Sequence, residues 1–595
     1  MRNSWKLGAL VVGLAAGVWM SIDVRSVEDA APDVASEAAD RPTGRVLIDL
    51  DDDTSASERD AIEGLIHDAI APFDWPEGDE AMGELLSDPA ELYAVEAPAS
   101  EIRDVLVALR GAEDVEAVEV EREWSIPSGS FASVENAADG ETARGPFRPN
   151  DPYYKHQWHL DQIQMPQAWL RNRGEGVVVA VIDTGVSYRN GGRFKQAPDL
   201  AATRFVPGYD FVENDNTPDD EHGHGTHVAG TVAQSTNNNL GVAGVAPEAA
   251  IMPIRVLDRR GAGAWGGVAA GIRWAADNGA DVINLSLGGS TRSSAISNAI
   301  AHAHRKGVVV VAAAGNTGRG RVQYPGADRF AIGVGAVRFD ESLSFYSSYG
   351  RNLDVVAPGG DLRVDQNADG LPDGVLQNTI LRGNPARHDY LAFQGTSMAA
   401  PHVAGVAALI RASGVQDPAA VERILQETAK DKRDRHRYGA GLIQADAALR
   451  AATRDLGATR GAAGFAFAAL ILIGLRRREN LVPTLAATGV VSGAATALPW
   501  SWIGLAAPVA PLAWLGSLGG FGLLALFVLP VGLVGLFYGK RSLRPWIAGA
   551  CFGVAGFAAV EALVPTLALG GAFVGPVLVG AAVLAAVLGR QVLSR

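Results

Sequence analysis

Between about residues 151 and 450 the apolar positions come as short unbroken runs rather than as alternating ones. "GVVVAVID" (176–183), "DVINLSL" (281–287) and "GVVVVAAAGN" (307–316) are too short for helices and too uniformly apolar for strands with one wet face. Between them lie longer stretches of helical period, such as "AWGGVAAGIRWAADNGA" (264–280) and "SSAISNAIAHAHRKG" (293–307). Strands buried on both sides and separated by helices predict an α/β fold, a parallel sheet with helices on both faces. In such a sheet the reactive groups belong at the carboxyl ends of the strands.

The pattern differs on either side of this block. From 44 to 125 it reads strand ("GRVLIDLDD"), amphipathic helix ("SASERDAIEGLIHDAI"), strand ("ELYAVEAP"), helix ("SEIRDVLVALRG") and alternating strand ("VEAVEVEREW"), a small α+β module. Its acidic positions read as a solvated face. Residues 126–150 are Ser-, Gly- and Pro-rich, a cleavable linker. After about 460 long apolar segments predict an all-α membrane region over 461–588, with spans near 461–475, 481–499, 518–538, 546–566 and 570–588.

The first 23 residues set Arg2 and Lys6 before an apolar run of about 14 residues, a signal peptide or signal anchor. Arg476–Arg478, Lys540–Arg544 and Arg590–Arg595 fall at alternate ends of the spans, which assigns those ends to the cytoplasm. The 151–450 domain is therefore expected outside the cytoplasm, periplasmic or extracellular, on a multi-pass anchor. A net charge of −15 and the lack of any nucleic-acid motif argue against nucleic acid as a partner. The single cysteine, Cys551, rules out an intrachain disulfide, so an exported domain must be stabilised by packing or by ions.

The chemistry centres on "EHGHGTHVAG" (221–230), which packs His222, His224 and His227 into six residues. A zinc cluster of the H-x-H-x-D-H kind would need an Asp where Thr226 stands, and it leaves "FQGTSMAAPHVAGVAALI" (393–410) unexplained. The "DTG" at 183–185 occurs once, whereas an aspartic protease needs two carboxylates sharing a proton. The last histidine is His436, so the membrane region holds no Ser/His dyad.

"VVVAVIDTGV" (177–186), "HGTHVAGTV" (224–232) and the stretch around Ser397 together resemble the subtilisin-like serine proteases, over about 151–450 and in that family's chain order Asp, His, Ser. The resemblance implies Ser397 as nucleophile at a helix start, His224 as its base, Asp183 as the group that orients the imidazole, and Asn316 as an oxyanion donor. His227 is expected to pack or hydrogen-bond structurally and His222 to be a solvated surface residue. The segments Gly261, Ala262, Gly263 and Ser286, Leu287, Gly288 resemble the two edges that pair with an extended polypeptide substrate. Gly315, with Ala313 and Ala314, would line a neutral specificity pocket, with Gln323 in reach of its floor.

Calcium is expected twice. Asp151, Asp199 and Asn238 match the calcium site of the thermitase-like branch of the family. "DQNADGLPDG" spaces Asp365, Asn367, Asp369 and Asp373 around Gly370 as calcium loops do, though Leu376 stands where an EF-hand has its bidentate Glu. The 44–125 module resembles the family's propeptide by element order, implying a zymogen that carries its own intramolecular inhibitor. A silent membrane receptor using the domain as a peptide-binding scaffold is the rival class; it has no need to keep all four catalytic residues.

Overall fold

The computed structural model describes residues 40–50, 92–96, 102–110, 115–126 and 147–454 almost without interruption, with short pieces elsewhere, chiefly 84–87, 131–133, 541–563 and 582–592. Its centre is a parallel sheet in the order Val355–Pro358, Ala331–Val337, Val309–Ala313, Val282–Leu285, Val178–Asp183, Ala250–Arg255, Arg204–Phe205. Side-chain alternation sends Val179 and Val181 into one core and Ala180 and Ile182 into the other. Helices His224–Ala233 and Thr396–Ala412 belong to the first core, and Trp265–Asp277 and Ser294–Arg305 to the second. This is why the strands are apolar throughout: neither face meets water.

An antiparallel hairpin, Val375–Leu381 with Asn384–Phe393, runs directly into the helix that carries Ser397. A separate five-stranded antiparallel sheet is built by the N-terminal module in the order Val115–Ser125, Arg41–Leu50, Leu92–Glu96, Glu84–Ser87, and its fifth strand is Ala262–Ala264 of the central domain. Helix Ile102–Leu109 covers one face of this sheet through Val105 and Leu109. Leu47, Leu92, Ala94 and Trp124 on the other face join the second core of the central domain.

Three acidic positions of the module face the central domain, while Glu96, Asp104 and Glu116 are exposed as a solvated face would be. Glu121 is buried, accepting from the Gly266 N–H at 3.0 Å, and Glu119 accepts from Ser294 N and Ala295 N at 2.9 and 3.1 Å. Each carboxylate thus caps the start of a helix in the central domain, where unpaired N–H groups and the helix dipole favour an anion. Asp49 is fully buried and accepts from Arg273 at 3.0 Å and Asn298 at 2.9 Å.

Of the five spans expected after 460, only 546–566 falls mainly on described residues, as the helix Arg544–Leu563. The others lie wholly or mostly outside the described residues, among which no helix is long and apolar enough to cross a membrane.

Candidate active site

Asp183 ends its strand, fully buried, and its carboxylate accepts from Thr184 N at 2.7 Å. His224 opens the helix His224–Ala233 and donates from Nδ1 to Asp183 Oδ1 at 2.8 Å, with Oδ2 at 3.0 Å. That bond fixes the tautomer and leaves Nε2 as the acceptor; Nε2 is buried and has no partner among the described residues.

The helix start is held by a residue that the motif reading did not single out. Asp220 accepts from the N–H groups of His222, Gly223 and Thr226 at 2.8, 2.9 and 3.0 Å, and from the hydroxyls of Thr184 and Thr226. One buried carboxylate therefore ties the residue after Asp183 to the first turn carrying His224. An acid two to six positions ahead of a helix start is the sequence signal that could have found it.

Ser397 is the second residue of the helix Thr396–Ala412. Pro401, four residues on, has no N–H and cannot close the helical bond to the Ser397 carbonyl. That carbonyl accepts instead from the Ser286 hydroxyl at 2.8 Å. The Ser397 hydroxyl in turn donates to the Ser286 carbonyl at 3.0 Å. The Ser397 hydroxyl is thus engaged with the neighbouring strand end and not with His224 Nε2. Farther along, His402 Nδ1 donates to Met398 O and His402 Nε2 pairs with His159 Nδ1, each at 2.8 Å; burial lowers the pKa of His402 to about 4.

Asn316 follows the strand Val309–Ala313, and its Oδ1 accepts from Thr396 N at 2.9 Å and Thr396 Oγ1 at 2.8 Å. With the oxygen so occupied, the amide nitrogen is turned toward Gly395. A Cβ on Gly395, whose φ is +150°, would lie 3.5 Å from Asn316 Nδ2 and 3.6 Å from Ser397 N. Glycine at 395 thus leaves open the space beside the Asn316 amide nitrogen and the Ser397 N–H, which a side chain would begin to fill. Thr396, which aims the amide, was not picked out from the sequence.

Gly261, Ala262 and Gly263 are paired by the chain itself: Ser125 and Trp124 stand opposite Ala262 and Gly263, and Ile126 N donates to Gly261 O at 2.8 Å. Trp124 packs edge-on to Trp265 at 5.7 Å and shares a core with the buried Leu287. Gly288 and Gly289 form the other edge, with Gly289 bridged to Tyr324. The Gln323 amide lies against Gly315, where a Cβ would come within 2.0 Å of its oxygen. Phe131–Ser133 pairs antiparallel with Leu391–Phe393, the end of the hairpin strand that leads into the helix of Ser397.

The other two histidines have structural surroundings. His227 stacks on Phe393 at 4.2 Å and donates from Nε2 toward Val375 O. His222 is not the solvated surface residue expected. It lies beneath Gly261, and burial lowers its pKa to about 3. The sequence pattern could not show that Gly261 packs against it.

Asp151, Asp199 and Asn238 do come together. Asn238 donates from Nδ2 to Asp199 at 2.8 Å and from its backbone N–H to Asp151 at 3.0 Å. Both carboxylates are buried, and neither pairs with a Lys, Arg or His among the described residues. Burial pushes the Asp199 carboxyl up to about 8 and raises Asp151 as well. Two adjacent buried carboxylates without a counter-charge fit a hard cation, and a half-turn of the Asn238 amide would add a third oxygen. In the loop from Asp365 to Asp373 the side chains likewise accept from backbone N–H groups, Asp369 pairs with His156 at 3.0 Å, and Asp373 Oδ1 is buried with no partner among the described residues. No three His, Cys, Asp or Glu side chains among the described residues converge as a metal cage.

Residues 174–441 match the family model described as "Subtilase family". Among curated proteins, the chain is 44% identical over 269 residues to thermitase from Thermoactinomyces vulgaris, covering 45% of this chain and 87% of that protein. It is 38% identical over 299 residues to subtilisin Savinase from Lederbergia lenta, covering 49% of this chain and 98% of that protein. Among solved structures it is similar to fervidolysin from Fervidobacterium pennivorans, a keratinolytic enzyme related to subtilisin, at 27% identity and a TM-score of 0.52 over 68% of this chain and 61% of that one.

Proposed function

The chain belongs to the subtilase family of serine endopeptidases, and on that premise we propose that Ser397, His224, Asp183 and Asn316 carry out the hydrolysis, on extended polypeptide and from a zymogen tethered at a membrane. The observation that carries the assignment is the Asp183–His224 hydrogen bond, with Nε2 left as acceptor, beside a serine whose helix start shares one small space with the Asn316 amide.

With a peptide in the cleft, the Ser397 hydroxyl swings from the Ser286 carbonyl to His224. Oγ attacks the scissile carbonyl carbon as its proton passes to Nε2, and the imidazolium is stabilised by Asp183. The tetrahedral oxyanion is held by Asn316 Nδ2–H and Ser397 N–H. Collapse expels the amine, which takes the proton from His224, and leaves an acyl-enzyme. Water then attacks with His224 again as base, releasing the acid and restoring Ser397.

The zymogen reading is supported by Glu123–Ile126 lying along Gly261–Ala264, the proposed substrate edge, while Phe131–Ser133 pairs with Leu391–Phe393, just ahead of the helix that carries Ser397. The proposed cleavage falls within the expected 126–150 linker. Ser397→Ala should abolish both peptide hydrolysis and release of the N-terminal module, and a serine-directed phosphonate should label Ser397 in the processed protein. A processed product from Ser397→Ala made without other proteases would refute self-cleavage, and absence of label would favour the silent scaffold.

Calcium would be held by Asp151, Asp199 and Asn238, supplying the counter-charge those carboxylates lack. It would stabilise the fold rather than act in catalysis. The tether and the placement outside the cytoplasm rest on the sequence pattern of apolar segments and basic clusters. Cysteines introduced at 479 and 545 should be sealed from an external impermeant thiol reagent while one at 501 reacts, and the reverse pattern would invert the topology.

A further inference from the structure

Behind the nucleophile lies a pair of histidines that the proposed chemistry does not use. His159, on the short helix Trp158–Gln162, and His402, on the helix of Ser397, are both fully buried, with ring centres 4.9 Å apart and planes at 86°. Burial keeps both neutral: it lowers the pKa of His402 to about 4 and that of His159 well below its usual value. The hydrogen bonds then place the protons. A carbonyl oxygen can only accept, so His402 Nδ1, at 2.8 Å from Met398 O, carries a hydrogen and His402 Nε2 is an acceptor. The 2.8 Å bond to that Nε2 is therefore donated by His159 Nδ1. His159 Nε2 is left as an acceptor, buried and without a partner among the described residues.

This relay ends beside Ser397. Pro401 leaves the Ser397 carbonyl without its helical donor, and the Ser286 hydroxyl, which itself accepts from Asn284 Nδ2 at 2.9 Å, takes that place. The next carbonyl, of Met398, is the one held by His402. Both peptide carbonyls that follow the nucleophile are thus gripped by a side chain, and behind each of those side chains stands a second one. His159 is itself fixed from its own segment: Trp158 packs edge-on to it at 5.9 Å and donates from Nε1 to Gly374 O at 3.1 Å, and Gln157 donates from Nε2 to Ala243 O at 2.9 Å.

We infer that His159 is a positioning residue for the hydrolysis, orienting through His402 the first turn of the helix that presents the Ser397 hydroxyl and the Ser397 N–H. The inference rests on the reading of Ser397 as nucleophile. His159 touches neither the substrate nor the reacting atoms. Its physical basis is that the nucleophile and the oxyanion donor must be held close to the reacting geometry before the reaction begins, and small displacements are costly in rate. An imidazole that donates on one side and accepts on the other has a single orientation, and His402 has it only while His159 supplies the donor.

The test compares three variants of the full chain with the parent. His159→Leu and His159→Phe fill the site without a donor, and His159→Asn keeps an N–H near the place of Nδ1. Active sites are counted by labelling with a serine-directed phosphonate, kcat and KM are measured on a fluorogenic peptide, and folding is followed by thermal melting. In the two variants without a donor, kcat per labelled site should fall about tenfold while KM stays within about twofold. His159→Asn should recover most of the loss. An unchanged kcat in the variants without a donor overturns the inference, as does a rise in KM in place of the fall in kcat. An equally low kcat in His159→Asn would trace the loss to the shape of the ring and not to its donor, and variants that do not fold would make the pair a folding element; either result removes the positioning role. A parent that takes no label at Ser397 removes instead the reading on which the inference rests, whereas a labelled parent beside a His159→Leu of unchanged kcat removes the inference alone.

Discussion

Arg273 and Asp49 form an ion pair whose side chains are 1% and 0% exposed, one on a helix of the central domain and the other on the first strand of the module. Replacing Arg273 by Ala leaves the Asp49 carboxylate in the interface without the guanidinium that faces it. Removing one partner of a buried pair costs about 3–5 kcal/mol, because the remaining charge stays desolvated. At about 1.4 kcal/mol per tenfold, the module should dock roughly 10²–10³-fold more weakly. The catalytic centre should not notice: Arg273 lies more than two turns along the helix that starts at Trp265, so about 12 Å beyond the substrate edge. After self-cleavage the complex of domain and module can be diluted and activity followed on a fluorogenic peptide. Arg273→Ala should regain activity at a concentration two to three orders of magnitude higher than the parent does, with kcat/KM of the free enzyme unchanged. Inhibition as tight as in the parent would show that the buried pair does not hold the module, and a parallel fall in kcat/KM would show that Arg273 supports the catalytic domain itself.

Asn316→Ala should lower kcat by about 10²–10³, the loss known for the corresponding donor in subtilisin, with KM little changed; an equal rise in KM instead would assign Asn316 to ground-state binding. Chelation should lower the melting temperature, and by more at pH 9 than at pH 5. The Asp199 carboxyl is raised by burial to about 8, far above its unfolded value near 3.9, so in the metal-free protein its contribution is full below about pH 4 and is lost as pH rises through about 8. Calcium opposes that loss by pairing with the ionised form, and equal melting with and without excess chelator at pH 9 would remove the site.

The parallel sheet, and the placing of the four proposed catalytic residues at its strand ends and helix starts, were legible because each is written locally. An unbroken apolar run can only be a strand buried on both faces, and Asp183, His224 and Ser397 each sit at a strand end or helix start within its own motif. What escaped was written across the chain. Glu119, Glu121 and Asp49 looked like a wet acidic face because nothing in "VEAVEVEREW" names the helix starts at 266 and 294 as their partners. His222 looked solvated because Gly261, which packs against it, comes from elsewhere in the sequence. Asp220 lay outside the recognised motif though it organises the helix start. The resting position of the Ser397 hydroxyl follows from Pro401 and Ser286, 115 residues apart in the numbering.

The two carboxylates that cap helix starts have a consequence for the order of events in the protein's life. Glu121 and Glu119 complete helices that belong to the enzyme, yet they reside on the part the enzyme is proposed to discard. Assembly is then a one-way process: the scaffold is present when the helices must form and gone when they must endure. Once unfolded, a matured molecule would lack two of the pieces with which it was first put together, so its working lifetime would be set by how slowly it opens and not by how readily it could close again.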